Sequence, residues 1–108
     1  MGDKSHVELY SMLLAFLEER GRPLIEFGSA ERGLQYADAL TFIELLRVNA
    51  VSLLGVELWR VVGDRLEIDI TEIWYSNTSD AASAYKDVDQ YFNRVKKASG
   101  DVFAIQFS

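Results

Sequence analysis

The sequence predicts an α+β domain in which an antiparallel sheet, built from a central hairpin and a C-terminal strand, packs with about three helices. Three observations predict it. Apolar residues recur at helical spacing in the first half of the chain and again after Asp80, the period changes to two between Val51 and Tyr75, and the residues from Asp101 to Ser108 alternate once more. With 108 residues the chain holds one hydrophobic core, so residues 1–108 are read as a single domain. Apolar residues at 49% and aromatics at 12% are enough to pack that core, which separates the chain from disordered sequences.

The first helix is expected to begin at Ser5, where Ser5-His6-Val7-Glu8 spells a capping box. Val7, Tyr10, Leu13, Leu14 and Leu17 mark its buried face, and Gly21 with Pro23, the only proline, ends it. Leu24 to Phe27 reads as a short extended piece. Gly28-Ser29-Ala30 reads as a turn, with Ser29 as N-cap of a second helix that reaches Val48. Tyr36, Ala39, Leu40, Ile43 and Leu46 form the apolar stripe of that helix, Gly33 weakens its first turns, and Asn49 supplies a left-handed stop.

Two strands, Val51 to Val62 and Arg65 to Tyr75, flank Gly63-Asp64, a pair suited to a tight hairpin turn. A two-residue loop sets Val62 opposite Arg65, Arg60 opposite Glu67 and Trp59 opposite Ile68. Glu57, Trp59, Val61, Leu66, Ile68 and Ile70 then share one face, expected to be the core face, and Val56, Leu58, Arg60, Glu67, Asp69 and Thr71 share the other. A bulge would exchange the faces of one strand relative to its partner. Ser79 or Asp80 caps a third helix that runs to about Ser99, with Ala81, Ala84, Tyr85, Val88, Phe92 and Val95 as its stripe and Gly100 as its close. A final strand alternates Phe103, Ile105 and Phe107 against Val102, Ala104 and Gln106 and is expected to dock on the hairpin.

Charge restricts the partners. Eleven Lys and Arg against seventeen Asp and Glu give a net charge of −6, which repels phosphate backbones and anionic lipid and attracts basic partners. Direct nucleic-acid binding and membrane association are therefore not expected. The absence of cysteine removes thiolate nucleophiles and disulfides, and the N-terminal segment lacks the pattern of a secretory signal, so the expected location is cytoplasmic.

The search for a catalytic constellation returns little. His6, the single histidine, lies in the first turn of a helix and reads as a solvent-exposed residue rather than a metal ligand or proton-transfer group. Gly28 and Gly33 have the separation of a phosphate loop, but Leu34-Gln35 follows where Lys-Ser or Lys-Thr is needed. Asn77-Thr78-Ser79 spells a glycosylation acceptor and reads better as a capping turn. No metal or cofactor is expected, and no enzymatic role. Glu67 and Asp69 alternate onto one hairpin face as a solvated surface, while Glu57 falls beside Trp59 and needs hydrogen-bond donors if it is buried. Trp74 and Tyr75 end the second strand next to Glu72, a mixture of aromatic and acidic groups that serves either core packing or a protein interface.

Leu54-Gly55-Val56-Glu57-Leu58-Trp59, the Gly63-Asp64 turn and Thr71-Glu72-Ile73-Trp74-Tyr75 together resemble the immunity protein 40 family of bacterial polymorphic toxin systems. In that family a strand carrying Leu-Gly-Gly-Asp-Val-aromatic precedes a strand ending in Asp-Asn-Trp-Tyr. Here Val56 stands for the second glycine, Glu57 and Glu72 for the aspartates, and Ile73 for asparagine. The resemblance implies a small protein that binds and blocks a cognate toxin domain, one expected to carry a basic surface. Glu67, Asp69, Glu72, Trp74 and Tyr75 are the candidate contacts. Three other readings stay open: an acidic adaptor module unconnected with toxins, a small-ligand domain with Trp59 and Trp74 lining a deep pocket, and an enzyme in which Glu57 and Glu72 meet in a cleft.

Overall fold

The computed structural model describes residues 2–108, with side chains from His6 onward. In chain order these form α1 (Gly2–Arg20), β1 (Arg22–Pro23), a 3₁₀ turn (Ile25–Phe27), β2 (Arg32–Leu34), α2 (Tyr36–Val48), β3 (Leu53–Val62), β4 (Arg65–Tyr75), α3 (Ala81–Arg94) and β5 (Val102–Phe107). The described residues thus hold three α-helices and one antiparallel sheet, ordered β1-β2-β5-β3-β4, which is the predicted α+β class. No described helix is long and apolar enough to cross a membrane.

Several boundaries differ from the sequence reading. The first helix already includes Ser5, which is therefore not an N-cap; its side chain lies outside those described. Leu13 is the fully buried residue of α1, supported by Leu9, Phe16 and Leu17, whereas Val7, Tyr10 and Leu14 face outward. Where a second helix was expected to start, the chain makes a small hairpin. The Leu24 N–H donates to the Glu31 carbonyl at 3.1 Å, and the Leu24 carbonyl accepts from Phe27 at 2.9 Å, so Leu24 to Phe27 closes into a turn instead of extending. Ser29 caps no helix; its Oγ accepts the Glu31 N–H at 3.1 Å. Gly33 sits in β2 opposite Ala104, where a Cβ would stand 2.3 Å from Val102 Cγ2. Cross-strand packing, and not a loose helix start, accounts for that glycine.

At the end of α2 the left-handed residue is Ala50, with φ 55°, and not Asn49, whose Nδ2 donates to the Leu45 carbonyl at 2.8 Å. The third helix ends at Arg94, earlier than expected. Val95 is extended, and the Ala98 N–H is captured by Asp101 Oδ2 at 2.8 Å, which bends the chain toward β5 before another helical turn can form. Gly100, at φ 90°, serves that turn.

The hairpin has the predicted register at its tip: Val62 faces Arg65, Arg60 faces Glu67 and Trp59 faces Ile68. Beyond it lies a wide bulge. The two-residue step from Glu57 to Trp59 on β3 faces the five-residue step from Ile68 to Ile73 on β4. Asp69 stabilises the detour by accepting the Thr71 N–H at 3.0 Å and the Thr71 hydroxyl at 2.6 Å, a local side-chain turn that competes with the ladder. Ile70 is left on the crest, 79% exposed, in place of the core position expected for it.

All three helices cover one side of the sheet. That main core joins Leu13, Phe42, Leu46, Val88 and Phe92 of the helices to Val56, Leu58, Phe103 and Ile105 of the strands. It lies on the Val56–Leu58 side, opposite to the face the alternation suggested. Both faces of β3 are apolar, so period alone does not say which one receives the helices. The Trp59 side has a smaller cluster of Leu24, Trp59, Leu66, Val102 and Ala104, closed by the 3₁₀ turn through Phe27.

Candidate functional site

The turn that covers the Trp59 side stops short, and the rest of that face carries polar groups. Gly55 lies between Gln106 of β5 and Tyr75 of β4, and its missing side chain is what admits them: a Cβ there would stand 2.6 Å from Tyr75 Cδ1 and 2.9 Å from Gln106 Oε1. One step along β3, half-buried Glu57 is the centre of the group. Its Oε2 accepts from Gln106 Nε2 at 3.2 Å and from the Tyr75 hydroxyl at 3.4 Å, and its Oε1 accepts from Trp59 Nε1 at 3.4 Å. The donors that a buried-edge carboxylate needs are thus supplied by two neighbouring strands and by its own.

Glu31, just before β2, adds a second carboxyl on this face. Burial, followed by the charge of Glu57, pushes the Glu31 carboxyl above its ordinary 4.5, while a hydrogen bond from Gln106 acts the other way. Burial and the Glu57 charge likewise raise the Tyr75 phenol. Two carboxyls, an amide and a phenol on an open sheet surface form an acceptor-rich patch suited to a guanidinium or ammonium group from a partner. Among the described residues no group of three or more His, Asp and Glu is arranged to hold a metal ion.

The five candidate contacts are not brought together. Tyr75 is 56% exposed and belongs to the open face. Trp74 faces Val56 and packs against the helix-side core, and Glu72 lies on the α3 side, with its carboxylate 3.7 Å from Arg94 Nη1 and its carbonyl accepting the Tyr91 hydroxyl at 2.7 Å. Asp69 is engaged by Arg60, whose guanidinium holds its carboxyl down to about 2, helped by Thr71. Glu67 is exposed, 3.8 Å from Arg65. The bulge explains the scatter, because its extra residues exchange the faces of the last residues of β4, turning Trp74 inward and Tyr75 outward.

For the same reason Glu57 and Glu72 do not meet, and Trp59 and Trp74 line no common pocket. Sequence reading missed Glu31, which it placed in a turn before a helix, and Gln106, which it treated only as an alternating strand position. Neither carries a local signal, since it is the β2–β5–β3 pairing that assembles them around Glu57. No protein-family model, no curated protein and no solved structure matches this chain.

Proposed function

We propose that this domain is a stoichiometric inhibitor of the immunity type, which binds a cognate toxin domain through protein–protein contact and covers its basic surface. The observation that carries the reading is the open face of the sheet, where Glu57, Glu31 and Gln106 surround the exposed ring of Tyr75. Aromatic anchors bordered by acidic acceptors suit a basic protein surface, and the net charge of −6 speeds encounter with one. The motif likeness around Leu54–Trp59 and Thr71–Tyr75 supports the toxin-directed form of this reading, because two elements of the likeness, Glu57 and Tyr75, meet in the patch.

The test is genetic and biochemical. A polymorphic toxin gene is expected beside this one, and co-expression with its toxin domain is expected to restore growth and to yield a one-to-one complex on size-exclusion chromatography. Absence of both rescue and complex would remove the toxin-directed reading.

A further inference from the structure

On its β3 side, β5 is paired along its whole length, from Val102 to Phe107. On the other side β2 pairs only with Phe103 and Ala104, so among the described residues Ile105 to Phe107 have no strand partner there. Unpaired backbone N–H and C=O groups along a sheet edge are a template for another strand. Beside this edge runs a groove of about 350 Å³, lined by Leu14, Leu17 and Glu18 of α1 and by Glu31, Arg32 and Gln106, two carboxylates against one guanidinium. Leu14 is 53% exposed, although it belongs to a helix whose other apolar side is packed. The free edge of three residues is roughly 10 Å long, and the α1 residues that line the groove, Leu14 to Glu18, run along about 6 Å of it.

The two sides of that edge differ in chemistry. Ile105 and Phe107 point into the helix layer, while Gln106 points to the open face and donates to Glu57. A strand added in the plane of the sheet must alternate in the same way. Its residues on one side meet Leu14 and Leu17, and those on the other meet Glu31 and Gln106. We propose that an extended segment of a partner protein, with apolar residues alternating with Lys or Arg, adds to the free edge of β5 as a sixth strand lying against α1. This rests on the reading of the domain as a binder of a basic protein and names the manner of binding: main-chain hydrogen bonds supply affinity and the alternation supplies selectivity. A second copy of this chain is a poor occupant, because its own long edge strand, β4, is interrupted by the bulge between Ile68 and Ile73 and would bring exposed Glu67 toward Glu18 and Glu31.

The test uses the full chain and a fluorescein-labelled octapeptide in which Val alternates with Lys and Arg, read by fluorescence anisotropy. Two control peptides are a block isomer of identical composition and the same alternating peptide with alternate backbone nitrogens methylated. The alternating peptide is expected to bind at least about tenfold more tightly than either control, and Leu14→Glu and Glu31→Lys are each expected to weaken it about tenfold. The methylated peptide removes the strand hydrogen bonds without altering the protein, so a misfolded variant does not decide the result. Equal binding of the block isomer, indifference to methylation, or no binding up to about 1 mM overturns strand addition. So does dimerisation of the free chain in light scattering that Leu14→Glu abolishes. A toxin complex that forms while the Ile105 to Phe107 amides exchange as in the free protein likewise overturns strand addition, yet leaves the inhibitor reading standing.

Discussion

Asp101 holds the Val61 backbone: its Oδ1 accepts the Val61 N–H at 3.0 Å, and its Oδ2 accepts the Ala98 N–H at 2.8 Å with Arg60 Nη1 at 3.4 Å. One buried carboxylate therefore joins the tip of the hairpin to the loop between α3 and β5. Asp101→Ala leaves two N–H groups without their acceptor and the Arg60 guanidinium with Asp69 alone, and is expected to lower unfolding free energy by about 2–4 kcal/mol. Asp101→Asn, which keeps one acceptor oxygen, is expected to lose less. Urea titrations of the three proteins check the order.

The neighbouring pair of Arg60 and Asp69 predicts a dependence on acid. Asp69 ionises in the folded chain at about 2, below its ordinary 3.8, because of Arg60 first and Thr71 second. A folded-state value below the unfolded one stabilises the fold above about pH 4, and that contribution is lost as the pH falls toward about 2. Solvent contact screens the pair, so the contribution is about 1 kcal/mol or less. Asp69→Asn is expected to be less stable than the parent at about pH 6, with the difference closing toward about pH 2.5 in pH-stepped urea melts.

Glu31 has the opposite sign. Its folded-state value is raised above 4.5 by burial and by Glu57, so its ionisation opposes folding once the pH rises through the folded value. Glu31→Gln is accordingly expected to be more stable than the parent at about pH 7 and equal to it below about pH 4. It is also expected to bind the partner less well.

Trp74 and Tyr75 are adjacent in sequence and predict opposite phenotypes. Trp74→Ala removes a ring packed on the main core and is expected to cost about 2–4 kcal/mol of stability. Tyr75→Ala removes an exposed ring, so its stability is expected to stay within about 0.5 kcal/mol of the parent while partner affinity falls about tenfold. Thermal melts beside calorimetric titration with the partner separate the two effects.

The helices and strands were legible where one local rule decided the matter. The Gly63-Asp64 turn fixed the register from Val62–Arg65 to Trp59–Ile68, and Gly21 with Pro23 ended α1. Legibility failed where a side-chain turn overrode the alternation or where distant residues arbitrated. Asp69 looks like one more alternating strand residue until its carboxylate turns back onto Thr71, and that single event reverses Trp74 and Tyr75. Gly33 reads as a helix breaker until Val102 is known to lie against it, and Glu31 reads as a loop residue until Gln106 stands beside Glu57. None of the candidate site could be assembled from alternation alone: it sets Glu57 and Tyr75 on opposite faces until the bulge unites them, and Glu31 and Gln106 required the sheet order.

The detour in β4 also bears on how the molecule behaves in a crowded solution. An outermost strand of eleven residues, flat and unbroken, would be an invitation to fibril-like stacking of one copy on the next. By lifting Ile70 out of line and tying Asp69 and Thr71 together, the chain splits that border into two short lengths that no neighbour can match in step. That irregularity works against copy-to-copy pairing along β4 and leaves the unpaired residues of β5 on the other side of the hairpin.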